Sequence, residues 1–196
     1  MINYNIRTYA FAILGLAFAT YIALFLATQK LDGIDFHKAL SQISTTVSIN
    51  IVIWLIFIKW AWKLRLFYPW LVPFPDISGE WEGVIISNGK EGQLDPIPIQ
   101  VSISQSFFNV QIKIKTGESK SYSLGASFDI DRERGIQQLI YSYLNTPRPG
   151  VRERSEIHYG STILCFTGYH IKEMEGEYWT TRATTGEIKI KKKNVA

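Results

Sequence analysis

The sequence contains a single cysteine in 196 residues, which excludes an intramolecular disulfide and is compatible with a reducing compartment. Cys165 lies in an apolar run, and we expect it to be a small buried hydrophobic side chain. Histidines are also scarce. His37, His158 and His170 have no metal-ligand spacing and no cluster of cysteines or carboxylates around them. The sequence therefore predicts neither a disulfide framework nor a metal site.

Catalytic motifs are missing as well. The sequence has no glycine-rich phosphate loop that opens a helix, no nucleophile elbow and no acidic motif of nucleotide hydrolysis. Cys165 and His158 could act as a nucleophile pair only from one face of a strand, but strand alternation places them on opposite faces. We therefore predict that the chain is not an enzyme and that it has no catalytic residues and no cofactor.

A basic excess is lacking in the part of the chain that could bind nucleic acid. Six Lys and Arg and two Asp and Glu lie in residues 1–75, which therefore hold the whole net charge of +4. Residues 76–196 carry fifteen charges of each sign and are neutral. A domain that binds duplex phosphates usually has a clear basic excess. We therefore do not expect the chain to bind long DNA or RNA.

What the chain does have is two long apolar segments in its first third. The first, Tyr9–Ala27, is 19 residues without a charge, close to the roughly 20 residues that a helix needs to cross about 30 Å of hydrocarbon. A secretory signal peptide is the competing interpretation, because Arg7 precedes the segment. The apolar run is longer than is usual in a signal peptide, however, and no persuasive cleavage site follows it. We therefore predict a transmembrane helix.

The second segment, Val47–Leu64, is apolar except for two polar residues and two lysines: Ser48, Asn50, Lys59 and Lys63. Four aromatic residues near its end favour the level of the lipid headgroups: Trp60, Trp62, Tyr68 and Trp70. Asn50 has two interpretations, a hydrogen bond to another helix within the bilayer or a position near the opposite interface. The segment predicts a second transmembrane helix that ends at the membrane surface.

The flanking charges predict the orientation of the two helices. Arg7 precedes the first helix, and Lys63 and Arg65 follow the second. The loop between them, Thr28–Thr46, contains two lysines and two aspartates: Lys30, Lys38, Asp32 and Asp35. By the positive-inside tendency, both ends of the helix pair face the cytoplasm. We therefore predict a two-helix membrane anchor over residues 1–68, a stiff proline-rich linker over 69–76 and a cytoplasmic domain over 77–196.

From Ile77 onward the apolar residues alternate, which indicates strands. Turn residues separate eight predicted strands: Ile77–Ser87, Ile97–Gln105, Asn109–Lys115, Ser121–Ile130, Ile136–Asn145, Glu156–Thr167, Met174–Arg182 and Glu187–Lys192. A meander of this length usually closes, because open edges invite aggregation. We therefore predict an all-β, antiparallel, up-and-down barrel of eight strands, wide enough to hold one small ligand. An open two-sheet sandwich is the alternative.

The start of the first strand, Gly-Glu-Trp-Glu-Gly at residues 79–83, looks like the Gly-x-Trp that begins many lipocalin-like and streptavidin-like barrels. In those barrels the indole closes one end. We expect Trp81 to do the same if it faces inward together with Gly79, Gly83 and Ile85.

One phase of the fifth, sixth and seventh predicted strands combines polar and aromatic residues. It contains Tyr141, Tyr143, Asn145, His158, Tyr178, Thr180 and Arg182. If this phase faces the lumen, the tyrosines can stack on planar rings, Asn145 and Thr180 can bond to base edges, and Arg182 can neutralise phosphate. The opposite phase of the fifth and sixth strands is at least as apolar, so the sequence leaves the inward face open. The alternative is an ordinary aromatic face, with His158 in a cross-strand hydrogen bond.

Three further arginines lie in the hairpin after the fifth strand: Arg148, Arg152 and Arg154. They could guard the mouth of a barrel. A solvated hairpin, balanced by Glu153 and Glu156, is the simpler interpretation.

Several motifs, taken in order, resemble a known family along the whole chain. After the paired helices and the prolines come residues 79–83, Tyr-Ser-Tyr-Leu-Asn-Thr-Pro at 141–147, His-Tyr-Gly at 158–160, Gly-Glu-Tyr-Trp-Thr-Thr-Arg at 176–182 and a last hairpin at Gly186. The chain resembles the effectors with two transmembrane segments and a β-strand-rich domain that belong to CBASS, the bacterial cyclic-oligonucleotide-based antiphage signalling systems.

The resemblance implies a receptor in the bacterial inner membrane. It implies that a cGAS-like nucleotidyltransferase makes a cyclic dinucleotide during infection and that the barrel binds it. The anchored effectors then assemble with one another and damage the lipid membrane, which leads to abortive infection. On this resemblance, the candidate ligand-binding residues are Tyr141, Tyr143, Asn145, His158, Tyr178, Thr180 and Arg182.

Two other functions stay open at this point. A membrane-anchored, lipocalin-like carrier of a lipid or other apolar ligand would need a dry lumen of Leu, Ile and Phe. A structural membrane protein would have a filled barrel and bind only protein partners.

Overall fold

The computed structural model describes residues 6–28, 36–89, 92–93 and 95–193. The chain divides into two compact units, and the boundary lies between Pro73 and Phe74. The first unit is helical and the second is built from strands. The predicted fold class, two apolar N-terminal helices followed by an antiparallel barrel, is confirmed.

Two helices form the first unit: α1, Ile6–Thr28, and α2, Phe36–Lys59. Both are long and apolar enough to cross a membrane. The predicted bounds of the second helix were wrong at both ends, because α2 begins at Phe36, inside the predicted loop, and ends at Lys59. Two single 3₁₀ turns, Ala61–Lys63 and Arg65–Phe67, follow it. Three of the loop charges behind the predicted orientation lie outside the described residues: Lys30, Asp32 and Asp35.

Hydropathy missed the first turns of α2 because they carry polar residues on one buried face. Gln42, Thr46 and Asn50 follow one another at intervals of four and are only 8%, 6% and 8% exposed. Gln42 Nε2 donates to the Thr28 hydroxyl of α1. Asn50 Nδ2 donates to the carbonyl oxygen of Thr46 at 2.9 Å, within its own helix. We call these three residues of α2 the polar seam.

The polar seam is only partly satisfied. The side-chain oxygens of Gln42, Thr46 and Asn50 find no hydrogen-bond partner among the described residues. A buried polar group without a partner costs about 1 to 3 kcal/mol. The helix pair therefore keeps hydrogen-bonding capacity that it does not use.

The second unit contains these strands in its described part: β1 Gly79–Gly89, β2 Gly92–Gln93, β3 Ile97–Gln105, β4 Val110–Lys115, β5 Ser119–Asp131, β6 Ile136–Pro147, β7 His158–Cys165, β8 Glu173–Thr180 and β9 Thr185–Lys192. All pairings are antiparallel, and β2 is a two-residue strand on the end of β1. The other eight follow one another around the sheet, which closes through a ladder from Trp81↔Lys192 to Asn88↔Thr185. The eight-stranded barrel is thus confirmed and the sandwich is excluded.

Aromatic side chains fill one end of the barrel. Trp81 is 1% exposed, and its indole N–H donates to the carbonyl oxygen of Ile77 at 3.1 Å. The ring of Phe74 stacks on that of Phe128 with centroids 5.4 Å apart and lies 6.0 Å from that of Phe107. The expectation that Trp81 faces inward and closes an end is confirmed.

The alternation in β6 and β7 settles which phase faces the lumen. Tyr141, Tyr143 and Asn145 are buried, as is His158 at the start of β7. The polar and aromatic phase therefore points inward.

Cys165 belongs to the other phase and is exposed, so the prediction of a buried cysteine was wrong. Its neighbours Leu164 and Phe166 are buried. In this run residues of both phases are apolar, so hydropathy did not separate the inner from the outer side chains.

Candidate ligand-binding cavity

The end of the barrel opposite Trp81 is open and contains a cavity of about 740 Å³. The cavity is lined by the last residues of β1, β6 and β8 and by the first residues of β3, β5 and β7. Antiparallel pairing brings all of these strand ends to one rim. Pockets for small ligands in proteins usually enclose about 300 to 1,000 Å³. The cavity is therefore large enough for a ligand of nucleotide size.

Two tyrosines of the predicted site line this cavity, and each lies over a glycine of the neighbouring strand. Tyr143 is the cross-strand partner of Gly160, and Tyr178 is that of Gly186. A Cβ at Gly160 would overlap the end of the Tyr143 ring, and one at Gly186 would stand 2.7 Å from Cε1 of Tyr178. The two glycines thus make room for aromatic rings that lie along the wall.

Tyr141 lies deeper than the other two tyrosines and is not part of the cavity lining. Its ring centroid is 6.0 Å from that of Tyr143, with the planes inclined by 46°. Its cross-strand partner is Thr162, which is 2% exposed. Tyr141 is thus placed to support the Tyr143 ring from behind.

Burial keeps the phenols of Tyr141 and Tyr143 uncharged at neutral pH. It raises the pKa of Tyr141 to about 12, and the Thr162 hydroxyl beside it offsets part of the rise. Burial is also the largest cause of the raised pKa of Tyr143, and the nearby phenols of Tyr141 and Tyr178 add to it. At neutral pH both side chains therefore present an uncharged ring and a hydroxyl group.

A chain of hydrogen bonds fixes the polar part of the wall. The Ser121 hydroxyl donates to Asn145 Oδ1 at 2.9 Å. Asn145 Nδ2 and His158 Nε2 are 3.5 Å apart, and His158 Nδ1 lies 2.8 Å from the carbonyl oxygen of Glu156. Asn145 and His158 are 9% and 8% exposed, and both line the cavity.

Two arginines lie at the rim. Strand β8 ends at Thr180, two residues before the predicted end, so Arg182 lies in the turn to β9. It lines the cavity and donates from Nη1 to the hydroxyl of Ser155 at 3.1 Å. Thr180 holds this turn, because its hydroxyl contacts that of Thr184 at 2.5 Å and accepts from the backbone N–H of Arg182 at 3.3 Å. The second arginine, Arg154, pairs with Glu118.

The structure thus brings six of the seven predicted site residues to one cavity and places Tyr141 directly behind it. Sequence reasoning assigned no site role to Ser121, Ser87 or Thr162, which also line it. Ser87 Oγ contacts the Tyr178 hydroxyl. The only indication of these three residues in the sequence was that each occupies an inward-facing position of its strand. Of the three hairpin arginines, Arg154 alone lines the cavity, so both interpretations of that cluster hold in part.

These features define a β-barrel that is closed at one end, has a polar and aromatic cavity at the other, and follows two apolar helices. A sequence model of the family described as "Cap15, cyclic dinucleotide receptor domain" matches residues 72–192. The chain belongs to this family.

Two curated relatives carry the name CD-NTase-associated protein 15. The protein from Staphylococcus schleiferi is 32% identical over 150 residues, which cover 76% of this chain and 78% of that protein. The protein from Yersinia aleksiciae is 30% identical over 188 residues, which cover 89% of this chain and 85% of that protein. The second similarity extends over both the helices and the barrel.

Proposed function

We propose that the chain is a CBASS effector whose barrel binds a cyclic dinucleotide in the open-end cavity. The observation that carries this proposal is the composition of the cavity wall. Tyr143 and Tyr178 offer aromatic surface, Asn145 offers an amide, and Arg182 offers a guanidinium at the rim. The family and the names of the relatives indicate the same class of ligand.

Each part of such a ligand has a counterpart in the cavity. Stacking of a base on an aromatic ring is worth about 1 to 3 kcal/mol in single-stranded nucleic-acid complexes. Guanidinium groups bind phosphate oxygens through paired, charge-assisted hydrogen bonds. The two rim arginines can meet the phosphates while the bases enter between the tyrosines. No covalent step is required, so the chain acts as a receptor and not as an enzyme.

We further propose that residues 1–68 anchor the protein in the bacterial inner membrane and that residues 69–76 link the anchor to a barrel in the cytoplasm. A ligand made by a cytoplasmic, cGAS-like nucleotidyltransferase could then reach the cavity. The support is the length and composition of α1 and α2 together with the flanking Arg7, Lys63 and Arg65.

Membrane damage on this account needs several copies. The outward faces of α1 and α2 are largely apolar, apart from exposed hydroxyl groups such as those of Ser44 and Ser48 in the first half of α2, and the polar seam is small, so we do not expect one helix pair to line an aqueous path. A ligand shifts the population from monomer to assembly only if it binds the assembly better. Moving it from 1:99 to 99:1 needs about 5.5 kcal/mol. The oxygens of the polar seam have no partner among the described residues but are buried, so a neighbouring copy can complete their hydrogen bonds only if the helix pair opens on assembly.

The carrier function finds less support. An apolar ligand would have to lie against the amide of Asn145, the imidazole of His158 and the hydroxyl groups of the wall. Burying such groups without partners is costly. The inward direction of the polar phase therefore favours the nucleotide.

The proposal is tested with the whole chain in proteoliposomes that contain a self-quenched dye. Cyclic dinucleotide should cause leakage and larger cross-linked species, whereas fatty acids should cause neither. If the ligand binds but causes neither leakage nor cross-linking, the helices serve only as a membrane anchor. A C-terminal reporter fusion tests the topology, and alkaline phosphatase activity there would place the barrel on the wrong side.

A further inference from the structure

Asn145 is the amide of the cavity whose orientation is fixed by its neighbours. It belongs to β6, and it meets Ser121 of β5 on one side and His158 of β7 on the other. These are its two cross-strand partners, so the barrel itself holds the three side chains together. An amide that rotates freely presents either its oxygen or its nitrogen to a ligand, whereas a fixed amide presents one pattern.

The backbone carbonyl of Glu156 determines the orientation of the Asn145 amide, and it does so through His158. His158 Nδ1 lies 2.8 Å from the carbonyl oxygen of Glu156, and a carbonyl can only accept. The proton of the neutral imidazole therefore sits on Nδ1, which leaves Nε2 as an acceptor. The atom of Asn145 that faces Nε2 must then be the donor, Nδ2. The Ser121 hydroxyl donates to the other end, Oδ1, at 2.9 Å.

After these contacts, Asn145 keeps one N–H and one lone pair of Oδ1. Asn145 lines the cavity, where these groups can meet a ligand as one donor and one acceptor. Adenine offers the matching pair, because its N7 accepts and its N6 amino group donates, and this is the usual pairing of an asparagine with adenine. On the same edge guanine offers two acceptors, N7 and O6. Its O6 would face Oδ1, and two acceptors cannot form a hydrogen bond with each other.

We infer that Asn145 reads an adenine base of the ligand through N7 and N6, and that His158 is the positioning residue that sets the direction of its amide. This inference rests on the proposed function. It adds a base preference that the stacking tyrosines cannot supply, because every base has an aromatic face. It also gives His158 a role without direct contact to the ligand.

The test compares the binding of linkage-matched cyclic di-AMP and cyclic di-GMP to the whole chain in detergent by calorimetry. The wild type should bind the adenine ligand roughly tenfold or more tightly than the guanine ligand, as expected for one bidentate contact. Equal affinity, or a preference for guanine, would overturn the inference. Binding of neither ligand would also overturn the inference, whereas the proposed function falls only if pyrimidine-containing cyclic dinucleotides fail to bind as well.

Variants and one analogue locate the effect. Asn145→Leu should reduce the ratio of the two affinities to about one, and His158→Phe should reduce it strongly because the amide is then free to turn. His170→Phe, at an exposed histidine outside the cavity lining, is the control and should keep the ratio. A 7-deaza-adenine ligand lacks the N7 acceptor. It should bind more weakly than the parent to the wild type but equally well to Asn145→Leu.

An unchanged ratio in both Asn145→Leu and His158→Phe, or an equal loss for the 7-deaza ligand in the wild type and Asn145→Leu, would contradict the assignment. A thermal melt of each variant shows whether it is folded. Because the measured quantity is a ratio of two ligands on one protein, a general loss of stability does not imitate the predicted change.

Discussion

Tyr143 lies across the β6–β7 ladder from Gly160, with the end of its ring in the space that a side chain at position 160 would occupy. The relationship is repeated two strands further on, in the β8–β9 ladder, by Tyr178 and Gly186. The pairing keeps each ring along the wall and leaves the centre of the lumen for a ligand. The same contact predicts what an added methyl group would do.

Gly160→Ala should weaken ligand binding and lower the melting temperature. The new Cβ overlaps the Tyr143 ring and stands 2.8 Å from the carbonyl oxygen of Trp179, which belongs to the backbone and cannot easily move. Overpacking of this kind costs about 1 to 3 kcal/mol. Gly125→Ala is the matched control, because a Cβ there has nothing within 4 Å. Differential scanning fluorimetry and calorimetry should show two losses for Gly160→Ala and none for the control.

Arg182→Ala should weaken the binding of a cyclic dinucleotide without changing the melting temperature. Arg182 is exposed, and its side chain donates a hydrogen bond to the hydroxyl of Ser155. A hydrogen bond to a charged group is worth about 1.5 to 3 kcal/mol, roughly tenfold to a hundredfold in affinity. Arg148→Ala removes an equal charge outside the cavity lining and should leave the affinity unchanged. Equal effects of the two variants would mean that only the net charge matters.

The stability of the barrel should fall as the pH rises from about 10 to about 12. Burial raises the pKa of the Tyr141 phenol from its ordinary value of 10.0 to about 12 in the folded protein, so the unfolded chain loses its proton first. Tyr141 alone accounts for about 3 kcal/mol of this loss above pH 12, and Tyr143, whose pKa is also raised, adds to it. Tyr141→Phe should reduce this loss, measured by thermal melting against pH. Tyr159→Phe changes an exposed tyrosine, and a similar reduction there would contradict the assignment.

Asn50→Leu should reduce ligand-induced leakage from proteoliposomes and leave the ligand affinity unchanged. The buried oxygen of Asn50 has no partner among the described residues, and a neighbouring copy can use it if the helix pair opens on assembly. Interhelical hydrogen bonds in membranes are worth about 0.6 to 2 kcal/mol each. Ser48→Leu is the control, because Ser48 is exposed and bonds to the carbonyl oxygen of Ser44 in its own helix. Leakage that falls equally in both variants would indicate a general effect of hydrophobicity.

The sequence predicts the barrel well because each strand alternates and is bounded by turn residues. Strand β3, Ile97–Gln105, has the same limits as the second predicted strand. The start of α2 was missed because the polar seam lowers the local hydropathy although its residues are buried in a helix. Cys165 was misplaced because it lies where apolar residues occupy both faces.

The sequence predicted which alternating set of strand residues forms the site, but not the individual contacts within it. Alternation groups Tyr143, Asn145 and His158, but only burial shows that they point into the lumen. The role of Arg182 depends on a strand that ends at Thr180, and a pattern of alternation does not mark that end. The partnership of Ser121 with Asn145 joins residues 24 positions apart, and it follows only from the register of β5 against β6.

The most direct test of the central claim fills the cavity and leaves the rest of the barrel alone. Ser121 faces the lumen and lines the cavity, whereas Ser142 is exposed on the outer face of the neighbouring strand. Cyclic dinucleotide binding to the whole chain is measured by calorimetry for Ser121→Trp and Ser142→Trp, with a thermal melt of each. We predict that Ser121→Trp folds and does not bind, and that Ser142→Trp binds like the wild type. Full binding by a folded Ser121→Trp would show that the ligand lies elsewhere.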